Sequence, residues 1–156
     1  MALDLRTLFV ALHVLASVIW VGGMFFAYMA LRPVAASQLE PPVRLKLWDG
    51  VFCNFFPWVW ISIIMLLATG YLLAFKNFGG FAGFPMYVNL MQGIGIVMIL
   101  IFGHVFFGLF VPMKRYIAAE DWPSAGARLA KIRTLVGVNL VLGLSVVAVA
   151  SGGRYL

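Results

Sequence analysis

The sequence has little charge and a single cysteine. Of its 156 residues only 10% are charged and 64% are hydrophobic, and the mean hydropathy is +1.05. Soluble domains are about 25% charged and about 45–50% apolar, so this composition excludes a water-soluble globule. One cysteine, Cys53, excludes an intramolecular disulfide, a Cys-x-x-Cys redox pair and a zinc site built from several thiolates. We expect Cys53 to be a small buried side chain at a helix start.

The sequence also lacks the motifs of common soluble enzymes. It contains no Gly-x-Gly-x-x-Gly, Walker, His-Glu-x-x-His or Gly-x-Ser-x-Gly pattern. Nucleotide, phosphate and hydrolase chemistry therefore have no support. The net charge of +6 is explained by membrane topology, so we expect no nucleic acid among the partners.

The sequence does contain four long hydrophobic segments. Residues 7–31, 50–75, 77–113 and 134–153 hold no charged residue, and a transmembrane helix needs about 20 apolar residues. We predict an all-α integral membrane protein, an antiparallel bundle of four transmembrane helices that forms one membrane domain. The predicted spans are residues 7–31, 51–75, 86–113 and 134–153.

Turn-forming residues mark the connections. Residues 77–85 are rich in glycine and aromatic residues and predict an interfacial loop, and Pro85 suits the first turn of a helix that begins near Met86. Residues 122–124 predict a break before the fourth span. Residues 43–48 predict a short surface helix that leads into the second span.

Lysine and arginine counts set the expected orientation. The segments after the first and third spans carry eight of these residues, and the opposite side carries Arg6, Lys76 and Arg154. The richer side is expected to be cytoplasmic, which places both termini on the outer, periplasmic side of a bacterial inner membrane. Because Asp4 and Arg6 make a poor signal-peptide n-region and the apolar run is long, we expect the first helix to be retained.

Both histidines fall inside predicted spans. Ionisable residues within the bilayer are costly and by default indicate a functional site. With a rise of 1.5 Å per residue, His13 lies about 7 Å to the outer side of its span centre and His104 about 6 Å to the inner side. This separation of roughly 13 Å along the membrane normal predicts two separate sites. All five acidic residues lie outside the spans, so a proton relay or a Ser-His-Asp arrangement is not expected.

Each histidine has an arginine on its own helical face. Arg6 is seven positions before His13 and Arg115 is eleven after His104, which places each within roughly 20° of its histidine. A haem ligated by either imidazole would direct its propionates towards such an arginine. Arg6 and Arg115 are therefore candidate cofactor-binding residues.

Antiparallel spans also predict which residues share a depth. The level of His13 meets residues 68–70 and 93–95, and the level of His104 meets residues 22–23 and Asn139. Asn139 is thus a candidate cofactor contact, or the hydrogen-bond partner of a packed His104. Trp20, seven positions after His13, is a candidate wall of its pocket. The glycines at these levels leave room for a flat ligand, or else permit close helix packing.

Thioether sulfur offers a second kind of ligand. Of the eight methionines, Met86 and Met91 near the outer end of the third span are the best candidates for capturing Cu(I), with Met24 further along the first span. No Met-x-x-Met pattern is present. The remaining methionines are expected to pack.

Three stretches carry a resemblance to a known family. They are LHVLASVIWVGG at residues 12–23, FFPWVW at residues 55–60 with Thr69 and Gly70, and IRTLVGVNLVLG at residues 132–143. They resemble the copper-resistance protein D (CopD) family of membrane proteins, and similarity extends to the four-helix HemJ-type protoporphyrinogen oxidases. The CopD resemblance implies copper uptake, and the HemJ-type resemblance implies a b-type haem held by helix histidines. The sequence has Asn89 and Gln92 where HemJ-type function would place basic residues.

Three functional hypotheses follow. The first is a haem b protein with one or two haems per chain ligated by His13 and His104, a homodimer that mediates electron transfer or small-molecule redox chemistry. It would act as a membrane haem oxidoreductase with a quinone or a periplasmic redox partner. The alternative is a CopD-like copper-binding or copper-uptake protein in which His13, Met24, Met86 or Met91 transiently coordinates Cu(I). The second alternative is a structural membrane subunit without a cofactor, in which the histidines are packed and hydrogen-bonded.

Overall fold

Residues 4–153 are described by the structure, a computed structural model, and they form four long helical segments. The first consists of α1 (Leu5–Phe26), a π-helical turn (Ala27–Leu31) and α2 (Arg32–Gln38), and the second is α3 (Pro41–Phe78). The third consists of α4 (Met86–Gly103), a π-helical stretch (His104–Phe110) and α5 (Val111–Ala118), and the fourth is α6 (Trp122–Gly152). No strand occurs in this described range. Each segment is long and apolar enough to cross a bilayer. The predicted fold class, an all-α multi-pass membrane protein, is confirmed.

The helices extend beyond the predicted spans. Residues 43–48, predicted as a separate surface helix, belong to the first turns of α3. Pro41 opens this helix because a proline in the first turn has no hydrogen bond to lose. The expected break at residues 122–124 is likewise a helix start: Pro123 lies in the first turn of α6, and Asp121 caps it by accepting the Ser124 N–H. The α4 helix begins at Met86, the residue near which the third span is predicted to start.

The two π-helical stretches have a shared cause. Each directly precedes a helix with proline at its second position, Pro33 in α2 and Pro112 in α5. Proline has no N–H and its ring crowds the carbonyl four residues earlier, and the wider π-helical turn relieves that crowding. At Pro112 the carbonyl concerned belongs to Gly108, which accepts a 3.5 Å hydrogen bond from Arg128 Nη1. His104 is the first residue of this stretch.

Two helix pairs form the bundle. α1 packs along α3, α4 packs along α6, and α6 also contacts α1 and α3. The α3 helix meets the third segment through aromatic rings. Phe56 lies between Phe102 and Phe110, with ring centroids 5.3 and 5.0 Å away, and Trp60 lies 5.1 Å from Phe102. These rings tie the two helix pairs into one core.

The outer surface of the bundle is apolar. Large hydrophobic side chains on all four segments are well exposed, among them Ile64, Leu100, Phe107 and Val141. Soluble proteins rarely expose contiguous apolar surface on this scale. The surface is suited to lipid acyl chains, so the bilayer is the partner that covers it.

Candidate functional site

His13 lies at the interface between α1 and α3, half-buried and hydrogen-bonded. Its Nδ1 lies 2.9 Å from Thr69 Oγ1, and the Thr69 hydroxyl donates its single proton to the Met65 carbonyl. Thr69 Oγ1 therefore accepts from Nδ1–H, and this network assigns the proton of the imidazole to Nδ1. The other ring nitrogen, Nε2, therefore carries the lone pair.

The site is built by a close approach of α1 to α3. A Cβ atom on Gly70 would lie 3.1 Å from His13 Cε1, so a larger residue here would require the ring to move by a few tenths of an ångström. The Ser17 hydroxyl donates to the His13 carbonyl one turn along α1. The level predicted from helix rise, which matched His13 with residues 68–70, is confirmed by these contacts.

His104 has different surroundings. It opens the second π-helical stretch, and it is exposed on the surface of the third segment. Its imidazole folds back over Gly108, where a Cβ atom would lie 3.0 Å from Nδ1. Between residues 4 and 153 no hydrogen bond to this side chain is seen, and the predicted bond from Asn139 is not formed. The His104 ring is therefore a polar group on the outer surface of an apolar helical segment.

Asn139 is instead a core residue with half of its amide satisfied. Its Nδ2 donates to the Met98 carbonyl at 3.2 Å, and its buried Oδ1 has no partner among the described residues. Trp20, predicted to wall the His13 pocket, is buried in the core, edge-on to Phe102 at 6.3 Å. These contacts make Asn139 and Trp20 parts of the helix packing.

The other predicted residues are spread along the bundle. Met24 is buried in the core, Met91 is half-buried, and Met86 at the start of α4 is 88% exposed. Arg6 in the first turn of α1 and Arg115 in α5 are both exposed. Their roles as propionate partners stay predictions. Across the described chain, no three His, Cys, Asp or Glu side chains come together in a way that could hold a metal ion.

Two polar features were missed by the sequence reasoning. Thr69 was matched in depth with His13 but was not identified as its hydrogen-bond partner. The expectation of a buried Cys53 is wrong: the thiol is exposed on the side of α3, and Lys114 Nζ donates to its sulfur at 3.1 Å. Cys53 lies inside α3 rather than at its start, and its side chain is on the exposed face of that helix.

Comparison with known proteins identifies one family. The family model described as Copper resistance protein D matches residues 49–152. The matched range includes Thr69, Gly70, His104 and Asn139, and it begins after α1, which carries His13. No curated protein and no solved structure matches the chain significantly.

Proposed function

This chain belongs to the copper resistance protein D family, and from that premise we propose that it binds copper within the bilayer and passes it across the membrane. The observation that carries the proposal is the chain of hydrogen bonds from His13 to Thr69 to Met65. These hydrogen bonds fix the orientation of the His13 ring. Its Nε2 atom, which carries the lone pair, would then act as a copper ligand inside the membrane-crossing segment. Imidazole nitrogen is a good copper ligand, and a histidine that binds metal commonly donates its other N–H to a fixed partner.

Thioether groups supply further ligands at other depths. Met86 lies exposed where α4 begins, and Met91 follows about 7.5 Å along the same helix. Met24 is buried in the core, about 16 Å along α1 from His13. Copper is the cargo in this proposal, and a series of weak ligands suits transport because each site must also release the ion.

Transport by reconstituted protein tests the proposal. The purified chain would be placed in lipid vesicles that contain a Cu(I)-sensitive dye, and copper entry would be followed after Cu(I) is added outside. We expect faster entry than into protein-free vesicles, abolished by His13→Ala and retained by His104→Ala. Entry at the protein-free rate with correctly folded wild-type protein would overturn the proposal.

A second candidate function, haem binding, is favoured by one observation. His104 presents an imidazole on the exposed face of the third segment, with no hydrogen-bond partner among residues 4–153, and a flat macrocycle has room there. Absorption spectra of the purified protein, oxidised and then reduced with dithionite, separate the two candidates. A Soret band that is lost in His104→Ala would favour haem, and a featureless spectrum from folded protein expressed with adequate haem would exclude it.

Gly70→Ala is expected to lower Cu(I) affinity by about tenfold, because the new Cβ atom pushes the His13 ring by a few tenths of an ångström and weakens its hydrogen bond to Thr69. The measurement is competition with a chromogenic Cu(I) chelator in detergent. Gly93→Ala is the matched control, since no atom lies within 4 Å of a Cβ atom at that position. Equal affinities for the two variants would contradict the assigned geometry.

A further inference from the structure

A cavity of about 240 Å³ lies at the end of the bundle that is rich in lysine and arginine. It is enclosed by the end of the first segment, the start of α3 and the start of α6. Three arginines line it, one from each of these elements: Arg32, Arg44 and Arg133. No aspartate or glutamate is among its lining residues. The cavity is separate from His13, so what it binds is independent of the proposed copper function.

Two of the three guanidinium groups are held at the cavity, one by an aromatic contact and one by a backbone contact. Arg32 lies over the ring of Tyr28, with 4.7 Å from Cζ to the ring centroid. Arg44 Nη1 lies 3.4 Å from the Ala36 carbonyl, to which it donates a long hydrogen bond. Arg133 is exposed. Arginine side chains fixed in this way lose less freedom when they bind an anion.

Three acidic residues, Glu40, Asp49 and Asp121, directly adjoin residues that line the cavity, but none of them lines it. Asp121 precedes α6, and hydrogen bonds from the Ser124 hydroxyl and backbone N–H hold its pKa below the usual value. It therefore stays ionised as a helix cap and does not line the cavity. No acidic lining residue neutralises the positive charge of the three arginines, so the cavity favours an anionic ligand.

The walls of the cavity restrict what that ligand can be. Trp48, Phe52 and Ile132 also line the cavity and make part of its wall apolar. Sites that enclose a whole small molecule are about 300–1,000 Å³, so this cavity suits one charged group whose remainder stays outside. Guanidinium groups bind phosphate oxygens in pairs, and basic pockets between transmembrane helices bind anionic lipid head groups.

We propose that this cavity binds the phosphate head group of an anionic phospholipid. The phosphate accepts hydrogen bonds from Arg32, Arg44 and Arg133, and the acyl chains continue along the apolar surface of the bundle. A lipid is favoured over a soluble phosphate because the site lies at the end of membrane-crossing helices and has apolar walls. A bound lipid would link the end of the first segment, the start of α3 and the start of α6 through its phosphate.

Native mass spectrometry of the detergent-purified full chain tests this site. Phosphatidylglycerol is expected to bind at least tenfold more tightly than phosphatidylcholine, and the double variant Arg32→Gln/Arg133→Gln is expected to lose this preference. The control, Lys114→Gln/Lys131→Gln, removes the same charge from the same end outside the cavity and is expected to keep it. Should the double variant fail to fold, Arg133→Gln alone alters only an exposed side chain and is expected to weaken the preference severalfold.

The alternative results are distinct. An equal loss of preference in the lining and control variants would mean that overall charge attracts the lipid, which would overturn the proposal. Displacement of the phosphatidylglycerol preference by millimolar inorganic phosphate, with phosphate itself protecting the protein from thermal unfolding, would assign the cavity to a soluble anion instead. Neither result would affect the copper measurements, because the two sites share no residue.

Discussion

Replacing His13 by alanine is expected to lower the Cu(I) affinity of the purified protein by about a hundredfold. Loss of an outer partner of a metal-binding histidine costs about 10–100-fold, and removal of the ligand itself should reach the upper end of that range. His13 is the histidine whose Nδ1–H is already satisfied, by Thr69, so its Nε2 is oriented before copper arrives. The measurement is equilibrium competition with a chromogenic Cu(I) chelator in detergent.

Two further variants separate ligation from packing. Thr69→Val removes the acceptor for Nδ1–H while it keeps the shape of the side chain, and we expect about a tenfold loss of affinity. Thr69→Ser restores a hydroxyl and should recover most of that loss. His104→Ala is the matched control, since it removes the other intramembrane imidazole. Unchanged Cu(I) affinity in a folded His13→Ala protein would remove His13 from the copper site.

The four transmembrane segments follow from charge placement alone, because an uncharged apolar stretch of that length has no other stable location. Helix ends were predicted less well. The α3 helix runs from Pro41 to Phe78, longer than the bilayer core requires. Prolines 41 and 42 read equally well as the end of one segment or as the first turn of the next. Only the packing of the neighbouring helices decides whether the two prolines end one helical segment or begin the next.

At the candidate site, the sequence predicts how deep a residue lies along its helix but not the direction in which its side chain points. Depth follows from residue counting at 1.5 Å per residue, and it correctly matched His13 with Thr69 and Gly70. The direction of a side chain also depends on the rotation of its helix, which a single sequence does not determine. Asn139 was matched in depth with His104, yet its amide donates to the Met98 carbonyl, and His104 faces outward.

Phe56→Ala is expected to have the largest effect on the stability of the bundle. The Phe56 side chain is only 3% exposed, stacks on Phe52 with centroids 4.9 Å apart, and meets Phe102 and Phe110 edge-on. Aromatic pairs of this kind contribute about 0.5–1.5 kcal/mol each. The loss of these three pairs, and of a fourth with Phe106 at 6.0 Å, should lower the free energy of unfolding by about 2 kcal/mol or more.

The lipid environment is the reason that the expected loss is not larger. In soluble cores Phe→Ala costs about 3–5 kcal/mol, part of which is transfer of the side chain from water. Acyl chains solvate a phenyl ring about as well as a protein core does, so the packing contribution is what remains. Unfolding by SDS in mixed micelles, followed by tryptophan fluorescence, measures it. Phe25→Ala, at a side chain that is 50% exposed, is the control, and an equal loss there would mean that the aromatic contacts between α3 and the third segment add no stability beyond that of lipid contact.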